Sequence, residues 1–211
     1  MVYLTRYLAR AVMAGMCVFT LALLLVACGG QSTSRNSGST TSPVQQVLAP
    51  TATTVNNALA KTYTATNFTI KYPASWKVTA SATEVVFNDP AGSYNMTIGS
   101  TANPNGTVSA DQLVEGGISG AKTNLKGEQT LKVPATTMLS GQVWSQRALS
   151  GTSTASGQSN DIEATVLATN HPAKAENTRG YIIVYVTTKA LFDTAQSMYF
   201  LPMLQSFKFT A

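Results

Sequence analysis

Histidine and cysteine are almost missing from this chain. Its 211 residues hold one histidine, His171, and two cysteines, Cys17 and Cys28. A histidine-based catalytic centre needs a nucleophile and an orienting partner within hydrogen-bond reach of the imidazole. His171 instead precedes Pro172 in a polar stretch, the setting of a solvated loop residue. Charge is also scarce: 14 basic and 9 acidic side chains leave a net +5. Lys61, Lys71, Lys77, Lys122, Lys126 and Lys132 are spread along the chain rather than clustered, which removes the case for nucleic acid. No glycine-rich loop follows a strand at phosphate-binding spacing. Gly117-Ile118-Ser119-Gly120-Ala121 comes close to a nucleophile elbow, but Ser119 falls inside a helical pattern, not on a strand-to-helix turn. The expectation is a protein that is not an enzyme and carries no cofactor.

What is present begins with a leader. After Arg6 and Arg10 comes an uncharged apolar run over residues 11–27, ending in Leu25-Val26-Ala27-Cys28. A basic start, an apolar middle and a small residue before a cut are the grammar of an export signal. The last four residues resemble the lipobox of bacterial lipoproteins. That resemblance implies cleavage between Ala27 and Cys28, with Cys28 thioether-linked to a diacylglycerol as the first mature residue. Two acyl chains give stable anchoring where one is marginal. The expected address is the cell membrane, lipid-anchored, on its extracytoplasmic face. Two other readings exist. An uncleaved transmembrane helix needs about 20 apolar residues, slightly more than this run supplies. A plain secretory signal would leave Cys28 an ordinary thiol.

Loss of residues 1–27 takes Arg6, Arg10 and Cys17 away and leaves 12 basic against 9 acidic side chains. With Cys28 acylated, the folded part has no thiol, so disulfides and cysteine metal sites are excluded. Such a domain holds together by burial alone, which about 150 residues can manage.

Three segments follow. Residues 1–27 are the signal peptide; residues 28–60 are the lipidated cysteine and a flexible Ser/Thr-rich linker; residues 61–211 are an α+β domain. The linker has no hydrophobic period and cannot bury enough surface to offset its ordering entropy. Order begins near Tyr63. Phe68, Ile70 and Tyr72 alternate with polar residues, the period of a half-buried strand. Pro73 stops it, and Trp76 re-enters with Val78 on one face. Thr83 to Asn88 is a third strand. Asp89-Pro90-Ala91-Gly92 fits a type I turn, Tyr94, Met96 and Ile98 mark a fourth strand, and Asn103-Pro104-Asn105-Gly106 reads as a second turn of the same kind. Ser109 and Gln112 form a capping box for a helix with Val114, Ile118, Ala121 and Leu125 on its buried stripe and Gly127 as its stop. The second half reads as a meander: residues 129–133, a long strand over 138–149 interrupted at Gly141, a polar hairpin loop over 151–159, a strand over 161–169 and an apolar central strand over 181–186. Thr188 then caps a last helix, which Pro202 breaks or restarts. Trp76, Trp144, Tyr181 and Tyr185 read as core.

Several landmarks recur together. Tyr72-Pro73-Ala74-Ser75-Trp76 closes an apolar strand, Phe87-Asn88-Asp89-Pro90 follows, and a late apolar strand leads to an amphipathic helix with Met203-Leu204-Gln205-Ser206-Phe207. This combination resembles the PsbP-like family, named for an extrinsic subunit of the photosynthetic oxygen-evolving complex. The resemblance implies an antiparallel β-sheet sandwiched by helices, with Tyr72, Pro73, Trp76, Asp89 and Pro90 as structural landmarks. It implies architecture more than activity, because members of the family do several jobs. The calcium and manganese associations of photosynthetic members find no matching motif here.

One constellation carries chemistry. Asp161 and Glu163 lie two apart on a strand and point to one face. Paired carboxylates on a strand are more often a solvated face, but with His171 or Glu176 they would make a weak cation site, and in a cleft with His171 they would also be the residues of a hydrolase. Three readings follow: a noncatalytic binding or assembly module with an unknown envelope protein as partner; a small-ligand carrier or sensor with a pocket between sheet and helices; and a PsbP-like accessory protein or enzyme built on Asp161, Glu163 and His171.

Overall fold

The computed structural model describes residues 59–154 and 158–210. Ala27, Cys28, the leader and nearly all of the linker lie outside the described residues. The fold is α+β, with two antiparallel sheets and helices on both faces of the larger one.

The larger sheet has the order β3-β4-β5-β10-β9-β8-β6, with β7 also paired to β8. Its strands are β3 (Lys77–Ala80), β4 (Glu84–Asn88), β5 (Tyr94–Ala102), β6 (Lys126–Leu131), β7 (Thr136–Leu139), β8 (Gln142–Ser153), β9 (Asn160–His171) and β10 (Arg179–Thr188). The apolar run at residues 181–186 is central, paired to β5 on one side and β9 on the other. Because side chains alternate across a strand, Tyr181, Ile183 and Tyr185 enter one core while Ile182, Val184 and Val186 face another.

The second core lies under α1 (Ala110–Lys122), whose Leu113, Val114 and Ile118 pack on Leu149, Ala164, Val166 and Ala168. Its start is the expected capping box: the Gln112 N–H donates to Ser109 Oγ at 3.2 Å and the Ser109 N–H to Gln112 Oε1 at 2.8 Å. Its end differs. The helix stops at Lys122 with Thr123 as cap, and Gly127 lies in β6 at a φ of 60°, beside a register shift between Lys126 and Gln129. Glycine there serves a bulge in the strand rather than the end of the helix.

The first core lies between the other sheet face and a second layer. That layer is a three-stranded sheet, β1 (Lys61–Thr64), β2 (Phe68–Tyr72) and β11 (Lys208–Phe209) in the order β1-β2-β11, together with helix α2. The strand at Phe68–Tyr72 thus belongs to a separate small sheet. α2 comprises Phe192–Ala195, a π-helical turn Gln196–Phe200, and Leu201–Ser206. Pro202 neither breaks nor restarts it. The Leu201 N–H bonds back to the Gln196 carbonyl, and the extra residue in that turn relieves the clash a proline imposes on the carbonyl four residues earlier.

Two turns depart from expectation. Residues 138–149 are two strands, because Ser140 and Gly141 both have positive φ (52° and 72°) and close the β7–β8 hairpin between Leu139 and Gln142, as a two-residue type I′ turn does. At Asn103-Pro104-Asn105-Gly106 the Gly106 N–H bonds the Asn103 carbonyl at 2.8 Å, but Asn105 sits at φ 58°, which makes it a type II geometry. The polar hairpin loop is shorter than 151–159, since β8 runs to Ser153 and β9 starts at Asn160.

Gly117 explains how closely α1 meets the sheet: a Cβ there would lie 2.7 Å from Cγ1 of the buried Val166. Gly116, one residue away, would meet nothing within 4 Å. The two positions therefore respond oppositely to alanine. Gly116→Ala gains helix propensity and stabilises by up to about 1 kcal/mol. Gly117→Ala crowds a stiff β-branched side chain and destabilises by about 1–2 kcal/mol. Urea midpoints of the two variants check the opposite signs.

Candidate functional site

The residues of the two landmark turns pack and hydrogen-bond locally. The Trp76 N–H donates to the Pro73 carbonyl at 3.0 Å, closing the turn between β2 and β3. Trp76 then packs among Tyr94, Tyr199 and Phe200 at centroid distances of 6.4, 5.5 and 6.5 Å, while Tyr72 meets Phe87 at 5.3 Å. Asp89 ties the β4–β5 turn: its carboxylate accepts from the N–H of Ala91 at 3.1 Å and of Tyr94 at 2.6 Å, with Pro90 between. These groups are committed to the fold.

The cation constellation does not form. Asp161 and Glu163 do share a sheet face, but they stand at the start of β9 and His171 at its end. Eight residues of extended chain separate Glu163 from His171 by about 26 Å. Among the described residues no group of three or more acidic, histidine or cysteine side chains is placed to hold a metal. The Thr152 hydroxyl donates to Asp161 Oδ1 at 2.9 Å. Glu163 faces Asp193 and Lys189; burial, then the Asp193 charge, raise its carboxyl above the ordinary 4.5, and Lys189 opposes them.

His171 is not a solvated loop residue. It ends β9, and its ring stacks on Phe209 of β11 at 3.8 Å and 15°. Its Nδ1 is buried with no hydrogen-bond partner. Burial lowers its pKa from 6.5, because the ring gives up water without gaining a charge partner. The bond between His171 and Pro172 is cis. Beside it, Asn103 donates from Nδ2 to Asn170 Oδ1 at 2.7 Å and to the Val108 carbonyl at 2.7 Å, and Asn170 donates to the same carbonyl at 2.8 Å. These bonds lock the loop before α1 to the end of β9.

Between the sheet and α2 lies a half-open groove of about 290 Å³. Leu167 and Tyr185 of the sheet form its floor with Gln146, α2 gives Gln196, Leu201 and Leu204, and Pro134, Thr136 and Thr137 close the far side. No lining side chain is charged. Tyr185 belongs both to the core and to this groove; burial raises its hydroxyl pKa, the Thr165 hydrogen bond opposes this, and the Glu163 charge adds to it. A second, polar cleft of about 200 Å³ includes Gln129, Ser150, Thr152, Asp161 and Lys189. A groove between sheet and helix matches the expected place of a ligand pocket, although it is an open cleft and not an enclosed cavity. Sequence reasoning missed Gln146, Gln196 and Leu201, because two glutamines and a leucine on three different elements carry no local signal. Ser119 is an exposed residue within α1.

No protein-family model and no characterised protein sequence matches the chain. Two solved structures are similar to part of the chain. LpqN, involved in cell envelope biogenesis of Mycobacterium tuberculosis, is 15% identical over 68% of this chain and 83% of that one, with a TM-score of 0.45. A protein from Bacteroides thetaiotaomicron is 7% identical over 68% of this chain and 45% of its own, with a TM-score of 0.44; the chain thus spans about half the length of that neighbour. Neither likeness assigns a family, and the PsbP-like resemblance stays with the short motifs that suggested it. Among the described residues no helix is long and apolar enough to cross a membrane.

Two pH effects follow. His171 has a lowered folded-state pKa, so below about 6.5 the unfolded chain takes up the proton more readily and stability falls as pH drops. His171→Phe keeps a ring against Phe209 and flattens that acid-side loss in thermal melts between pH 7 and 5. Glu163 has a raised folded-state pKa, so its carboxylate costs stability as pH rises above about 4.5. Glu163→Gln therefore raises the melting temperature at pH 7, and the gain vanishes below the ordinary carboxylate range. A gain that persisted unchanged in acid would refute the assignment.

Proposed function

We propose that this chain is a lipid-anchored module on the extracytoplasmic face of the cell membrane that binds a partner or ligand without transforming it. One observation carries this reading: Cys28 stands directly after Leu25-Val26-Ala27 at the end of an apolar leader and is the last cysteine in the chain. A diacylglycerol on that sulfur would supply the membrane attachment. The linker of residues 28–60 would then give the domain reach, about 30 Å root-mean-square for a flexible chain of that length.

A noncatalytic role is supported by the placement of the ionisable groups. His171 stacks on a phenylalanine, far from Asp161 and Glu163, so no acid–base pair of these residues faces a common reacting atom. A PsbP-like accessory role with cation binding draws no support from that geometry. The narrower alternative, a carrier or sensor of a small ligand, is favoured by the uncharged groove between β8, β9, β10 and α2. Its volume is close to the lower end of small-molecule sites.

Fractionation and intact-mass measurement of the native protein test the anchor. The wild-type protein is expected with the membranes, beginning at Cys28 and heavier by a diacylglycerol. Cys28→Ser is expected to lose that added mass and its cleavage before residue 28. Recovery of wild-type mature protein free in the medium, with an unmodified first residue, would overturn the reading.

A further inference from the structure

The nine acidic residues of this chain are Glu84, Asp89, Asp111, Glu115, Glu128, Asp161, Glu163, Glu176 and Asp193. None precedes residue 84 and none follows residue 193. Residues 28–83 carry Arg35, Lys61, Lys71 and Lys77 with no acid, whereas residues 84–211 carry eight basic against nine acidic side chains. The positive charge of the mature chain is therefore concentrated in its linker and first strands.

The fold sets one of these lysines, Lys71, on a face with Lys208. In β2, Phe68, Ile70 and Tyr72 point into the first core, so Thr69 and Lys71 point outward. The ladders place Thr62 opposite Lys71, Thr64 opposite Thr69, and Lys208 on the other side of Thr69. The outer face of the small sheet is thus threonine and lysine without a carboxylate, and Thr62, Thr64, Lys71 and Lys208 are exposed. Lys61 pairs with Tyr72 and so lies on the other side of β1 from Thr62; it is exposed at the edge but is not part of the face. Lys77 points to the opposite side of the large sheet, as its pairing with Asn88 requires, and is not part of the face. The linker joins the domain in this same layer: β1 begins at Lys61, two residues into the described chain.

We infer that the outer face of the small sheet docks on an anionic phospholipid surface, through the ammonium groups of Lys71 and Lys208. The inference rests on the lipid-anchored reading for its biological setting, since a tether would hold this layer near the bilayer. A lysine near an anionic surface strengthens membrane partitioning about fivefold, and the attraction fades within a Debye length. A contact that weak matters for a tethered domain because the linker makes docking an intramolecular event. The flat, carboxylate-free face suits a sheet of headgroups better than a shaped pocket, because it offers positive charge and hydroxyls without a concavity.

The test uses the full mature chain, residues 28–211, carrying Cys28→Ser so that no acyl chain contributes. Partitioning is measured by co-sedimentation on vesicles of phosphatidylcholine alone and of phosphatidylcholine with phosphatidylglycerol. Binding is expected only to the anionic vesicles and is lost at high salt. The pair Lys71→Gln and Lys208→Gln is expected to weaken it about thirtyfold. The pair Lys126→Gln and Lys132→Gln removes the same charge from exposed positions outside this layer and is expected to change it less than about threefold. Equal losses for the two pairs would reduce the effect to net charge and overturn the docking face, as would equal binding to neutral vesicles or none to either. Because acylation of Cys28 is absent by design, a failure here leaves the intact-mass result standing, and the reverse also holds.

Discussion

The alternation of side chains along β10 is the constraint on which the rest of this molecule depends. Tyr181, Ile183 and Tyr185 go to one face, Ile182, Val184 and Val186 to the other, and both sets must leave water. A slip of one residue would exchange the two sets, so the ladders to β5 and β9 and the layers on each face stand or fall together. Glycine fixes the spacing on the α1 side. A Cβ at Gly180 would lie 2.8 Å from Cδ1 of Leu113, so a side chain there would push the end of that leucine aside. On the other side aromatic rings fill the space: Phe207 stacks on Phe68 at 5.3 Å and Trp144 meets Phe207 edge-on at 5.6 Å. Neither layer covers its whole face. α1 packs on β8, β9 and β10, while the small sheet and α2 pack on residues of β4, β5, β8, β9 and β10. The groove beside Gln146 and Leu167 lies between α2 and this face of the sheet.

Much of this was legible where the signal is local. The strand period at Phe68–Tyr72, the capping box at Ser109, the turn at Asp89 and the central apolar strand each depend on residues within one element, and each is found in its expected element. The misses share a different cause. Nothing within Phe68–Tyr72 says which sheet it joins, because its partner β11 is contributed by residues more than 130 positions away. In the sequence Gly141 looks like an interruption of one strand, because a Ser-Gly pair closes a hairpin only if both residues take positive φ, which composition suggests but does not require. Gly127 looks like a helix stop and serves a strand bulge, since both uses exploit the same freedom of φ.

The site was less legible than the fold, for a related reason. Asp161, Glu163 and His171 looked like a constellation because they are close in sequence and of the right chemistry. An extended strand is the conformation that carries near neighbours farthest apart, at about 3.3 Å per residue, so their presence on β9 dispersed them. The groove residues stand in the opposite relation: Gln146 and Gln196 are 50 positions apart and meet across the cleft only because β8 and α2 flank the same sheet face. Linear proximity misleads on strands, and sites assembled between layers have no linear signature at all.

The small sheet joins these points to the absence of cysteine after residue 28. Its ladders are short: four residue pairs between β1 and β2, two between β2 and β11. In water a sheet of this size is marginal without an apolar face to bury, and no disulfide is available to hold it. Packing must therefore do so. Tyr63 lies 6.0 Å from Phe68 and 5.8 Å from Phe87, and Phe209 is gripped among Trp144, Tyr181, His171 and Phe207. Aromatic pairs of this kind add about 0.5–1.5 kcal/mol each beyond the area they bury. The inner faces of β1, β2 and β11 must accordingly be apolar to keep the layer in place, which leaves their outer faces free to be polar. That division is what allows the layer closest to the linker to present only threonine and lysine to its surroundings while its inner side closes the core.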